Sequence, residues 1–143
     1  LETAVDIAGA PQATLFVSTT AADTDVFVRL VDEHPDAADT RGAALEICYG
    51  MVRLRHRNGL DQDDLVPAGE IVEIVVQLGP TACRFEAGHR IRVEVTSSDF
   101  PNHDRNHNTG GNDLAESVLI TATTTIHHGA KRASRILLPV MPA

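Results

Sequence analysis

Residues 89–97, HRIRVEVTS, alternate without a break: Ile91, Val93 and Val95 face one way, and Arg90, Arg92, Glu94 and Thr96 the other. A side-chain period of two belongs to a half-buried β-strand; an amphipathic helix repeats its apolar residues every three to four positions. The segments ATLFVSTT (13–20), DVFVRLVDEH (25–34) and EIVEIVVQL (70–78) are rich in β-branched residues with weaker alternation, which predicts strands buried on both faces. GMVRLRHR (50–57) predicts another, with Val52, Leu54 and His56 opposite Met51, Arg53, Arg55 and Arg57. SVLITATTTIHH (117–128) and SRILLPVMP (134–142) complete the set, Pro139 marking the last as an edge or a bulge.

Turn chemistry separates these runs: GAPQ, TAADTD, HPDAADTRG, RNGLDQDDLVPAG and LGPTACRFEAGH. The one place for a helix is a short piece around Ala43–Tyr49. Short strands at this spacing predict a single all-β domain over residues 1–143, an antiparallel sandwich or jelly roll. Tyr49 is the only tyrosine and there is no tryptophan, so the core must be built from Val, Ile, Leu and Ala.

Charge and composition exclude several functions. Twenty acidic against twelve basic residues give a net charge of −8, the wrong sign for a nucleic-acid partner. No apolar run approaches the ~20 residues of a membrane-spanning helix, so no membrane partner is expected. Cys48 and Cys83 lack metal-site spacing; they read as a reduced pair in a cytoplasmic setting, with a single bridge as the alternative. The opening LETAVDIAG reads as mid-fold sequence without an initiator Met, the mark of a fragment.

Catalytic chemistry is scarce. None of Ser18, Ser97, Ser98, Ser117 and Ser134 sits on the G-x-S-x-G elbow of an α/β hydrolase. His103 and His107 are four apart and His127 and His128 adjacent, with Asp99 and Asp104 nearby, but Pro101, Asn102, Asn106, Asn108 and the Gly110–Gly111 pair oppose the helix that would align them. Asp23-Thr24-Asp25 and Asp61-Gln62-Asp63-Asp64 lack the calcium-loop pattern and read as turn caps. The expectation is no metal, no cofactor and no catalytic residue in this chain.

Three stretches together carry a resemblance: LFVSTTAADTDVFVRLVDEHPD, then LVPAGEIVEIVVQLGPTACRFEAGHRIRVEVTSSDFPNHDRNHNTGG, then HHGAKRASRILLPVMP. They resemble the C-terminal domain of the X-Pro dipeptidyl-peptidase and cocaine-esterase-like serine hydrolases, which include α-amino-acid ester hydrolases and cephalosporin acylases. The most specific pieces are Asp23-Thr24-Asp25, Leu30-Val31-Asp32, Gly88 to Arg92, Ser97-Ser98, Phe100-Pro101, Asp104-Arg105-Asn106 and Asn108-Thr109-Gly110. The chain departs from the family at Tyr49-Gly50, where Asp-Gly is usual, at Pro35 to Asp39, where a compact PDG turn is usual, and at His103 and His107.

The resemblance implies a galactose-binding-like jelly roll, longer at its N-terminus than this chain. It implies packing against an α/β-hydrolase domain of the same parent chain, which carries the Ser, Asp and His, and it allows a homo-oligomer. On this reading Phe100, Pro101, Asp104, Arg105 and Asn106 belong to a rigid loop at the domain interface, with Arg105 offering a forked clamp for a carboxylate or carbonyls. Leu45, Cys48 and Tyr49 are candidates for the wall of the acyl pocket, although Leu45 and Cys48 read first as core. The competing reading is a stand-alone carbohydrate- or ligand-binding jelly-roll module.

Overall fold

The computed structural model describes residues 1–35 and 42–142. Its strands are β1 (Val5–Gly9), β2 (Gln12–Thr19), β3 (Asp25–Glu33), β4 (Ala44–Arg53), β5 (Val72–Gln77), β6 (Thr81–Phe85), β7 (Arg90–Thr96), β8 (Thr124–His127) and β9 (Arg135–Leu137). In one sheet β2 pairs with β5 along one side and with β8 and β9 along the other; in the second, β3 lies between β4 and β7; β1 and β6 form a separate pair. Every pairing is antiparallel. The two larger sheets enclose a core of Leu15, Val17, Val26, Val28, Leu30, Ile74 and Val76, which Ile7 and Phe85 of the small sheet join. This is an antiparallel β-sandwich.

Burial on both faces holds for β3, where Val26, Val28 and Leu30 face the core while Phe27 and Val31 are buried on the other side. It does not hold for β5, whose Val72, Ile74 and Val76 are buried between exposed Glu73, Val75 and Gln77. The alternation of β7 is partly covered: Ile91 packs against the core, yet Val93 and Val95 are each 40% exposed.

The short helix around Ala43–Tyr49 is absent; those residues open β4. The pairing with β3 shifts register there, Leu30 facing Cys48 and Val31 facing Glu46, which leaves Ile47 as an inserted residue. Ile47 and Cys48 both pack on the core. A bulge interrupts the period of two, and so gives strand residues a helix-like apolar spacing.

The strand expected over 50–57 ends at Arg53, and Leu54–His56 form one 3₁₀ turn. Hydrogen bonds from Leu54 N to Thr24 O (2.9 Å) and from Arg55 N to Asp23 Oδ1 (2.9 Å) draw the backbone out of the ladder. The expected strand over 117–128 is regular only at Thr124–His127. Strands β1 and β6, in stretches read as an opening and a turn, pair with each other across Ile7 and Cys83. The compact turn considered at Pro35 to Asp39 lies largely outside the described residues.

Gly50 marks where the two large sheets approach. A Cβ there would lie 2.1 Å from Gln77 O, and Gly79 N donates to Tyr49 O at 3.0 Å across the same junction. Backbone, rather than a movable side chain, fills that space. Gly50→Ala is therefore expected to lower stability by about 2 kcal/mol or more, read as a lower midpoint in urea unfolding.

Candidate functional site

The chain leaves β7 at Thr96 and crosses the outer face of β3 before returning as β8. The Phe100–Pro101 peptide is cis. Beyond it His103 packs its ring 5.1 Å from Phe27, which is only 1% exposed, and Asp99 pairs with Arg29. This loop is what buries the second face of β3.

Its anchor is a buried ionic network. Arg53 donates to both oxygens of Asp25 (2.8 and 3.0 Å) and to Asp113 Oδ2 (2.8 Å). Arg55 donates to Asp23 Oδ2 (2.7 Å), Asp113 Oδ2 (3.1 Å) and the carbonyl of Gly111 (2.7 Å). Asn106 Nδ2 bridges Asp23 Oδ2 and Asp25 Oδ1 at 2.8 and 2.9 Å, and Asp113 Oδ1 accepts from His107 N at 3.0 Å. The Asp23 and Arg55 side chains are 0% and 7% exposed. The hydrogen bond to Asp25 pushes the Arg53 guanidinium further up, so its charge is permanent. Two charge-assisted forks at this depth fix geometry more strongly than exposed pairs do.

The candidate loop residues separate. Asn106 is buried in the network, whereas Phe100, Pro101, Asp104 and Arg105 are exposed. The Arg105 guanidinium lies 4.9 Å over the Phe100 ring, and among the described residues no carboxylate pairs with it. The forked donors are Arg53 and Arg55. The sequence did hold a signal for them, because Asp25 and Arg53 sit opposite each other in register and each has a like residue two positions away.

Of the pocket-wall candidates, Cys48 is buried as expected, but Leu45 is 51% exposed, which corrects its assignment to the core. Tyr49 reaches the loop, its hydroxyl 3.3 Å from His103 Nε2. Asp23 and Asp25 are ion-pair partners rather than turn caps. His107 stands apart from His103, with Nδ1 3.8 Å from Glu116 Oε1. Ser18 Oγ lies 2.8 Å from His127 Nε2, but among the described residues no carboxylate orients that imidazole, so no triad forms.

Residues 1–137 match the X-Pro dipeptidyl-peptidase C-terminal non-catalytic domain. The chain belongs to this family. It is 43% identical over 139 residues to cocaine esterase from Rhodococcus sp. (strain MB1 Bresler), covering 96% of this chain and 23% of the esterase. An α-amino acid ester hydrolase structure superimposes with a TM-score of 0.94 at 30% identity, covering 99% of this chain and 24% of that one. An aminopeptidase structure from a marine sediment Thaumarchaeota archaeon also gives a TM-score of 0.94, at 28% identity and with 99% and 24% coverage. The chain thus spans about a quarter of the length of these relatives.

Two tests follow from this geometry. Arg55→Met leaves Asp23 charged and buried without its guanidinium, and a loss of about 3–5 kcal/mol is expected in chemical denaturation. Both cysteines are free, and burial pushes each thiol up, with nearby negative groups adding to it. A raised thiol carries less thiolate at neutral pH, so alkylation of Cys48 and Cys83 in the folded chain should be slow and should accelerate on raising the pH.

Proposed function

We propose that this chain serves a larger serine hydrolase by stabilising its catalytic domain and shaping substrate access, while Ser, Asp and His come from outside it. The observation that carries this reading is the match of residues 1–137 to the non-catalytic family, joined to 43% identity with a cocaine esterase. Acyl esters are the substrate class we assign to the parent, with X-Pro dipeptides as the family's other chemistry. The reading includes a galactose-binding-like jelly roll.

The surface supports a partner on the loop side. Leu114, Phe100, Val118, Leu119 and Ile120 are 89, 60, 60, 56 and 42% exposed. We assign the catalytic domain to this face, with Phe100, Pro101, Asp104 and Arg105 at its rim and Asn106 beneath, holding the loop in shape. A run of exposed apolar side chains on a rigid loop fits an interface better than open water. Tyr49, beside His103, is the pocket-wall candidate best placed to accompany it; Leu45 is exposed as well, and Cys48 acts from behind through packing.

A second apolar surface lies between β7 and the β8–β9 edge, a groove of about 470 Å³ bordered by Leu15, Val93, Val95, Ile126 and Ile136. We assign to it a further strand of the same sandwich, supplied by the parent chain. Leu1 is pinned at the start of β7, its nitrogen donating to His89 O at 2.7 Å and its carbonyl accepting from Gly88 N at 2.9 Å. A strand laid in that groove would satisfy the open edge.

The test uses the full-length parent. Leu114 is almost fully exposed in this domain, so Leu114→Asp leaves the domain's own packing untouched. In the intact hydrolase it is expected to remove about 2 kcal/mol of apolar burial and to lower the melting temperature and kcat/KM. Tyr49→Ala is expected to alter the ranking of acyl substrates. An unchanged melting temperature and unchanged kinetics in Leu114→Asp would refute the assigned interface.

A further inference from the structure

The antiparallel pairing of β3 with β7 sets Asp32 opposite Ile91 and Glu33 opposite Arg90, which brings His89 alongside the end of β3. Asp32 and His34 come from that end, His89 from the turn that opens β7. His89 Nδ1 lies 3.0 and 3.1 Å from the two oxygens of Asp32, and His34 Nε2 lies 3.3 Å from Asp32 Oδ2. The two imidazoles stack at 4.3 Å between centroids. Asp32 is 7% exposed and, among the described residues, has no lysine or arginine partner; its ion-pairing neighbours are the two rings.

We propose that Asp32, His34 and His89 form a binding site for a single divalent ion of the zinc type. Zinc bonds of about 2.0–2.2 Å to nitrogen and carboxylate oxygen put tetrahedral ligand atoms roughly 3.3 Å apart. The separations from the Asp32 carboxylate to both imidazoles already fall at or just below that edge, and one ligand atom from each of the three residues lies within 4.8 Å of the others. Two neutral imidazoles and one carboxylate suit a borderline ion such as Zn²⁺ and are too nitrogen-rich for Ca²⁺ or Mg²⁺.

The backbone around the site is held independently of any metal. His34 N donates to Ala43 O at 2.8 Å, and His89 N donates to Glu86 O at 3.1 Å. His34 also borders a cleft of about 430 Å³ shared with Glu33, Gly88, Arg90 and Arg92, which leaves room for water at a fourth position. The other carboxylate–histidine group, His107, Asp113 and Glu116, is the weaker candidate, because Asp113 is already engaged by Arg53 and Arg55 and two guanidiniums repel a cation.

The experiment is equilibrium dialysis of chelator-treated full-length protein against Zn²⁺ at neutral pH, with metal analysis and a melting curve, repeated for His34→Gln, His89→Gln and the control His107→Gln. One zinc per chain is expected, with a melting temperature that rises with zinc concentration. Loss of an outer-shell partner costs about 10–100-fold in metal affinity, so removing a ligand should weaken binding at least about tenfold in either site variant and leave the control unchanged. Zinc uptake well below one per chain overturns the proposal, as does uptake that neither site variant reduces or that His107→Gln abolishes. Co²⁺ in place of Zn²⁺ gives a second readout: intense tetrahedral visible bands in the unaltered protein, lost in His89→Gln, are expected.

Discussion

The pairing of Asp23 and Asp25 with Arg53 and Arg55 is the interaction on which the rest of this domain depends. It ties the start of β3 to the end of β4 and, through Asp113, Asn106 and the Gly111 carbonyl, holds the long loop across the outer face of β3. Without that loop Phe27 would face water. Buried ion pairs contribute little net stability compared with apolar packing of the same volume, but breaking one is severe. Their effect is specificity: a loop with this much polar side-chain chemistry has many turns open to it, and the network selects one.

That arrangement explains how a non-catalytic domain can present a firm surface. The loop carries its exposed apolar side chains on a backbone fixed from below by charge and hydrogen bonds, so the proposed partner would meet it without first having to order it. The groove beside β7 differs in kind, an apolar channel between the two sheets bordered by Leu15, Val93, Val95, Ile126 and Ile136. On the proposed reading one surface serves docking and the other completion of the fold. Both agree with a chain that spans about a quarter of the hydrolases it resembles.

Local signals were readable where local physics decides. The alternation around Ile91, Val93 and Val95 and the strand at Asp25–Glu33 both came from residues within one segment. The family, too, was legible from motifs such as Gly88-His89-Arg90 and Asp104-Arg105-Asn106. The errors share a cause in long-range pairing. A bulge at Ile47 gave β4 a helix-like pattern, and β1 and β6 each lack a signal without the other. The residues that hold the loop, Arg53 at the end of β4 and Arg55 in the 3₁₀ turn that follows, precede it by about 50 positions in the chain. Likewise Asp32, His34 and His89 become neighbours only through the β3–β7 register.

The most direct measurement of the central claim is hydrogen exchange in the intact parent hydrolase, read on the peptide covering 114–120. In this domain the amides of Ser117, Val118 and Leu119 have no acceptor among the described residues, and their side chains are exposed. A catalytic domain seated on this face would slow their exchange far below that of an open loop. Slow exchange in the intact enzyme is the predicted result. Exchange as fast as in an unstructured peptide would contradict the account, leaving the loop self-contained and the domain's partner elsewhere.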